Sequence, residues 1–109
     1  MATVSIKSNY LEMLSNIGRV ESIVEEAVRK YLIDKCVERV EKAKLKVRAF
    51  EKQYNCQYPD FNLIISDENH LEKIEKKHPT WEADLAEWEY WQKELEEWKT
   101  KLEDILIKS

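Results

Sequence analysis

Apolar residues recur at helical spacing along most of this 109-residue chain. From Ile33 onward they are separated by alternating steps of three and four residues, which is the heptad spacing of a helix with one apolar seam. Nothing between Val20 and Tyr54 breaks a helix, so we expect one continuous helix about 50 Å long. Its seam consists of Ile33, Cys36, Val40, Ala43, Val47, Phe50 and Tyr54.

A second seam occupies the last third of the chain. Turn residues at 55–60 and at Pro79 separate it from the first seam, and Ser66 or Asp67 predicts the start of a short helix between them. Asp84 interrupts the second seam, so we expect looser packing near the start of the last helix. All four tryptophans belong to this stripe, which comprises Trp81, Trp88, Trp91, Leu95, Trp98, Leu102 and Ile105.

The N-terminal residues follow a different pattern. Polar Thr3, Ser5 and Lys7 alternate with apolar Val4 and Ile6, which predicts a short β-strand with one buried face. An isolated strand needs a partner for its backbone groups, and the simplest partner is the same strand of a second copy, antiparallel across a two-fold axis. A short helix is expected from Ser8, and Gly18 is expected to end it in a left-handed conformation.

These elements predict a mainly α protein with one N-terminal strand that pairs across a homodimer. A single glycine, two prolines and 37% charged residues favour long helices with few turns. So much charge leaves little apolar surface for a monomer core, so we expect a homodimer or a higher homo-oligomer. We divide the chain into a dimerisation domain (1–33), a helical extension with its turn (34–58) and an acidic, tryptophan-rich helical region (59–109).

Charge is distributed unevenly. Residues 1–50 hold 10 Lys and Arg against 7 Asp and Glu, whereas residues 51–109 hold 8 against 15. This division favours a polyanion as partner of the first part and a basic protein as partner of the second. The alternative is an uneven surface without functional meaning.

No motif of a known catalytic or cofactor site is found in the sequence. It lacks a glycine-rich phosphate loop, a nucleophile elbow and Cys/His spacing suited to zinc. We therefore expect neither an enzyme nor a cofactor or metal. Cys36 and Cys56 are expected to be reduced thiols, and without a long apolar segment we expect a soluble, cytoplasmic protein.

The first third resembles a ribbon–helix–helix DNA-binding domain. The resemblance covers residues 2–33 and is strongest at 21–32, ESIVEEAVRKYL, which is similar to the second helix of that family. It implies that two strands pair and lie in the major groove of double-stranded DNA. Thr3, Ser5 and Lys7 would then read bases, and Gly18 and Arg19 would frame a phosphate contact with Val20. Glu21 departs from the family, which commonly has Ser or Thr there.

A ribbon–helix–helix domain followed by an acidic helical extension resembles type II antitoxins. This resemblance implies that the extension neutralises a basic toxin, such as a ribonuclease, and that the complex represses its own operon. The toxin-binding residues would be Trp81, Trp88, Trp91, Leu95, Trp98 and Leu102, because tryptophans often anchor interfaces and carboxylates attract a basic partner.

Two other interpretations remain open. The tryptophan stripe can instead fold back on the seam of residues 33–54 and form a helical bundle within the dimer. The function can also be that of a regulator without a toxin, or of a coiled-coil scaffold without a nucleic-acid role. Substitution of Thr3, Ser5 and Lys7 by alanine would have no consequence in the scaffold.

Overall fold

The computed structural model describes residues 5–108 and contains five α-helices in that range. They are α1 (Ser8–Ile17), α2 (Val20–Tyr54), α3 (Tyr58–Ile65), α4 (Glu68–Lys77) and α5 (Trp81–Lys108). The prediction of a mainly α protein is therefore confirmed. None of these helices is both long enough and apolar enough to cross a membrane.

The predicted N-terminal β-strand is wrong. Ser5, Ile6 and Lys7 are not in a strand, and residues 5–108 contain no strand at all; Thr3 and Val4 lie outside the described residues. The carbonyl oxygen of Lys7 instead accepts hydrogen bonds from the amides of Tyr10 (3.0 Å) and Leu11 (3.1 Å). Lys7 is thus the N-cap of α1, and its backbone is engaged in starting a helix rather than in a ladder.

The chain divides into two compact units, residues 1–35 and 36–109. In the first unit, α1 and the first part of α2 are joined by Gly18 and Arg19. Gly18 has φ 173°, which is extended backbone, so the expected left-handed conformation is wrong. Its amide closes α1 by donating to the carbonyl of Leu14 at 3.1 Å.

The second unit is a helical bundle built from the rest of α2 and from α3, α4 and α5. Helix α2 ends where the turn was predicted: Asn55 adopts a positive φ of 54°, and the amide of Cys56 donates to the carbonyl of Glu51 at 3.2 Å. This 6→1 bond is the C-terminal cap of a Schellman motif. Pro59, which needs no amide partner, lies in the first turn of α3.

Two apolar clusters form the core of this bundle. Val40, Ala43 and Val47 of α2 pack with Leu95 of α5, and the rings of Trp91 and Trp98 border this cluster. The other cluster contains Phe50, Tyr54, Phe61 and Trp88. Each predicted seam residue from Cys36 to Tyr54 is buried. The seam of α2 is therefore covered by α5 and α3 of the same chain.

Candidate functional site

The residues predicted to bind DNA are not brought together in a ribbon. Ser5 and Lys7 precede α1 and are exposed, while Gly18 and Arg19 lie in the connection to α2. The ammonium group of Lys7 lies 5.7 Å from the centre of the Tyr10 ring. Thr3 lies outside the described residues. Because residues 5–7 form no strand, the ribbon that would read bases is absent from the described chain.

The residues predicted to bind a partner lie against the core of the bundle. Trp88 is fully buried and Leu95 is buried, whereas Trp81, Trp91, Trp98 and Leu102 are half-buried. The Trp88 ring stacks on two rings of α2. Its centre lies 5.7 Å from that of Phe50 and 5.8 Å from that of Tyr54. This geometry corresponds to the interpretation in which the stripe folds back on the first seam.

Cations lie over the two tryptophans that border the core. Lys42 and Lys46 lie 5.5 and 5.7 Å from the centre of the Trp91 ring. Arg39 and Lys101 lie 5.3 and 4.3 Å from the Trp98 ring. Such contacts are attractive because the ring face carries negative charge. A partner that used these rings as anchors would have to displace the cations first.

Asp84 accepts hydrogen bonds from two side chains of α2. The sequence did not indicate this contact. Its Oδ2 accepts a hydrogen bond from the hydroxyl of Tyr54 at 2.5 Å and one from Nε2 of Gln53 at 3.1 Å. Burial, followed by this hydrogen bond and the negative charge of Asp84, raises the pKa of Tyr54 well above its usual value. The carboxylate therefore joins the start of α5 to the end of α2 at the position where it interrupts the apolar stripe.

The first unit carries the largest set of exposed apolar side chains on neighbouring helices. Five of them are more than half exposed: Tyr10 (52%), Met13 (64%), Ile17 (76%), Val28 (51%) and Tyr31 (60%). Leu11 and Leu32 are also exposed. We call these seven residues the assembly face. The sequence signal for its α2 part is the helical spacing of Val28, Tyr31 and Leu32.

The described residues show no arrangement suited to metal binding. No group of three or more His, Cys, Asp or Glu side chains in residues 5–108 is placed to hold a metal ion. Cys36 is buried and Cys56 is half-buried, and neither forms a disulfide. Burial, with smaller effects from Asp60 and Glu51, raises the pKa of the Cys56 thiol, which makes this thiol a poorer nucleophile at neutral pH.

Comparisons with models of protein families, with curated proteins and with solved structures give no match for this chain.

Proposed function

We propose that this protein is a helical scaffold that assembles with a second copy of itself through the assembly face. The observation that carries this proposal is the contrast between the two parts of α2. In residues 36–54 the seam side chains are buried, with Ala43 only 1% exposed, whereas Val28 and Tyr31 on the same helix are more than half exposed. Exposed apolar side chains grouped in this way often mark a protein interface.

The charges of α2 favour a second copy as the partner. Glu21, Glu25 and Glu26 lie in the first two turns of the helix, and Arg29 and Lys30 follow in the next turn. Two such helices in antiparallel orientation place the acidic turns of each copy beside the basic turn of the other. A parallel orientation would instead place like charges side by side.

The apolar side chains near the start of α2 also fit an antiparallel pair of these helices. Tyr31 and Leu32 of the assembly face follow Val28 by three and four residues, so the three side chains share one side of the helix. The small side chain of Ala27 is exposed one turn before Tyr31 and permits close approach of a second helix. An antiparallel pair about a two-fold axis would bury the assembly face of both copies in one closed interface.

The test is the molar mass of the full chain in solution, measured by sedimentation equilibrium. We expect the wild type to be dimeric and the V28E/Y31E variant to be monomeric, because two carboxylates would be buried in the interface. Leu45→Glu is the matched control, since Leu45 is 66% exposed on the same helix but lies in the other unit. A monomeric wild type, or equal dissociation of both variants, would contradict the proposal.

A second candidate function is the neutralisation of a basic protein, as in the antitoxins. Its support is the outward side of α5, where the exposed residues include Glu82, Glu89, Glu96, Glu97 and Glu103. Any partner would meet these carboxylates rather than the tryptophans. A protein captured from the source cells should then be released by salt and by E96K/E97K, but not by E72K/E75K on α4. Capture that is insensitive to E96K/E97K would contradict this candidate.

The two cysteines support a cytoplasmic location for either function. Both are unpaired thiols, which is the usual state of cysteine in a reducing compartment.

A further inference from the structure

Four cations and no carboxylate occur in residues 42–50, KAKLKVRAF, of an otherwise acidic chain. Lys42, Lys44, Lys46 and Arg48 alternate with other residues, and two residues along a helix correspond to a rotation of about 200°. The alternation therefore divides the four cations into two pairs on opposite sides of the buried seam formed by Ala43 and Val47.

The two pairs have different surroundings. Lys42 and Lys46 lie over the Trp91 ring, so their charges have an aromatic partner. Lys44 and Arg48 instead line a cavity of about 290 Å³ between α2, α3 and α5. The cavity has a third cation, Lys99, which comes from α5.

The cavity has an excess of positive charge. Its lining contains three cations and one carboxylate, Glu51. None of the three cations forms an ion pair with another residue in the described range 5–108. Like charges around one concave surface repel each other, and a multivalent anion between them would relieve this repulsion. The amides of Gln57 and Gln92 add neutral hydrogen-bond donors.

The remaining lining is apolar. Val47 and Leu95 are core residues that reach the cavity, and Tyr58 and Pro59 border it at the start of α3. An inorganic ion would leave these groups without contacts. A ligand that combines a charged group with a short carbon skeleton would use both parts of the lining, as small-molecule sites generally do.

We propose that this cavity binds a small organic oxyanion with two negative charges, either a phosphate monoester or a dicarboxylate. The guanidinium of Arg48 suits either group because its N–H donors match two oxygens of one phosphate or carboxylate. Lys44 and Lys99 supply the further positive charge. The site lies entirely within residues 44–99, so it does not depend on self-assembly through the assembly face.

The experiment is a titration of the full chain with glycerol 3-phosphate and, separately, with succinate, followed by amide chemical shifts at constant ionic strength. Sodium chloride is the reference. We expect saturable shifts confined to residues around Lys44, Arg48, Tyr58 and Lys99, with at least one of the two probes. Binding of glycerol 3-phosphate alone would identify the phosphate group as the ligand, and binding of succinate alone would identify a dicarboxylate.

The K44Q/R48Q variant should bind the active probe at least about ten-fold more weakly, because two charge-assisted contacts are lost. The matched control is K42Q/K46Q, which removes the same charge from the same helix but from the other side of the seam, and which should keep the wild-type affinity. Lys99→Gln provides an independent variant on α5 if K44Q/R48Q fails to fold. Shifts that do not saturate, that spread over all lysines, or that weaken equally in both double variants would overturn the proposal.

Discussion

The hydroxyl of Tyr54 donates a hydrogen bond to Oδ2 of Asp84, and the two oxygens are 2.5 Å apart. Tyr54 closes the long helix α2, and Asp84 lies in the first turn of α5. The bond therefore fixes the start of α5 against the end of α2 and stabilises the packing of the tryptophan stripe on the seam.

Replacement of Tyr54 by Phe should lower the free energy of unfolding by about 1 kcal/mol, because the half-buried carboxylate of Asp84 loses a donor and the ring packing is retained. Thermal unfolding followed by circular dichroism would measure the effect. Tyr58→Phe is the control, since the Tyr58 hydroxyl makes no hydrogen bond to the described residues, although its ring contacts Trp88. Equal stability of Tyr54→Phe and the wild type would show that the bond contributes nothing.

Phe61 and Leu63 provide a matched pair on α3. Phe61 is fully buried and its ring lies 5.4 Å from that of Trp88, whereas Leu63 is 73% exposed. Phe61→Ala should destabilise the bundle by about 3–5 kcal/mol, because the substitution leaves a cavity in the core. Leu63→Ala should change the stability by less than about 0.5 kcal/mol. Urea unfolding measures both, and a similar effect of the two substitutions would refute the described packing of α3.

Charge reversal tests the orientation proposed for assembly. E25K/E26K should weaken the dimer, because lysines would then lie opposite Arg29 and Lys30 of the second copy. The fourfold variant E25K/E26K/R29E/K30E should restore the dimer, since the pairs formed among these four positions again have opposite signs. Sedimentation equilibrium at low salt would detect both changes. If the fourfold variant remains as weak as E25K/E26K, the antiparallel arrangement is incorrect even though the wild type dimerises.

Replacement of Gly18 should be tolerated. Its backbone is extended, and a Cβ atom there would lie 3.5 Å from Cδ1 of Ile23, which is ordinary van der Waals contact. Gly18→Ala should therefore stabilise the first unit by about 0.4–1 kcal/mol, because the unfolded chain loses conformational freedom. Amide hydrogen exchange in α1 would report the change. Faster exchange in the variant would indicate a strained backbone at this position.

The cap of α4 should depend on pH. Asp67 accepts hydrogen bonds from His70 and, at 3.1 Å, from the amide of Asn69, and these bonds hold its pKa below the usual 3.8. A lowered folded-state pKa means that the stabilisation is present above pH 3.8 and is lost as the pH falls through the folded pKa. The Asn69 amide resonance should shift in that interval. Asp67→Asn keeps an acceptor without a charge and should abolish the pH dependence of the Asn69 amide resonance. A pH dependence that persists in this variant would show that another group causes it.

Helical periodicity was sufficient to predict most of the fold. The positions from Cys36 to Tyr54 were recognised because one buried face repeats over several turns, and residues 55–60 were recognised by their turn residues. The strand over residues 3–7 was predicted from five alternating residues. Such a pattern says nothing about a pairing partner, and in the structure Lys7 begins a helix instead.

The predicted sites were harder to locate from sequence for a related reason. A periodic stripe shows which side chains share a face, but not which molecule covers them. Trp88 and Val28 both belong to apolar stripes, yet one is fully buried and the other is 51% exposed. The bond between Tyr54 and Asp84 and the cavity of Lys44, Arg48 and Lys99 join residues that are distant in sequence, so no local pattern indicated them.

All four tryptophans of the chain lie on α5, and the assembly face contains only tyrosines, Tyr10 and Tyr31, as fluorophores. Excitation at the red edge of the absorption band, where tyrosine does not absorb, therefore selects emission from residues 36–108 alone. The combined emission of the four tryptophans should shift to the red when the bundle opens, because the buried Trp88 then contacts water. Ellipticity reports the helices of both units at once. A thermal transition that differs between ellipticity and tryptophan fluorescence would therefore distinguish the melting of residues 8–35 from that of the bundle.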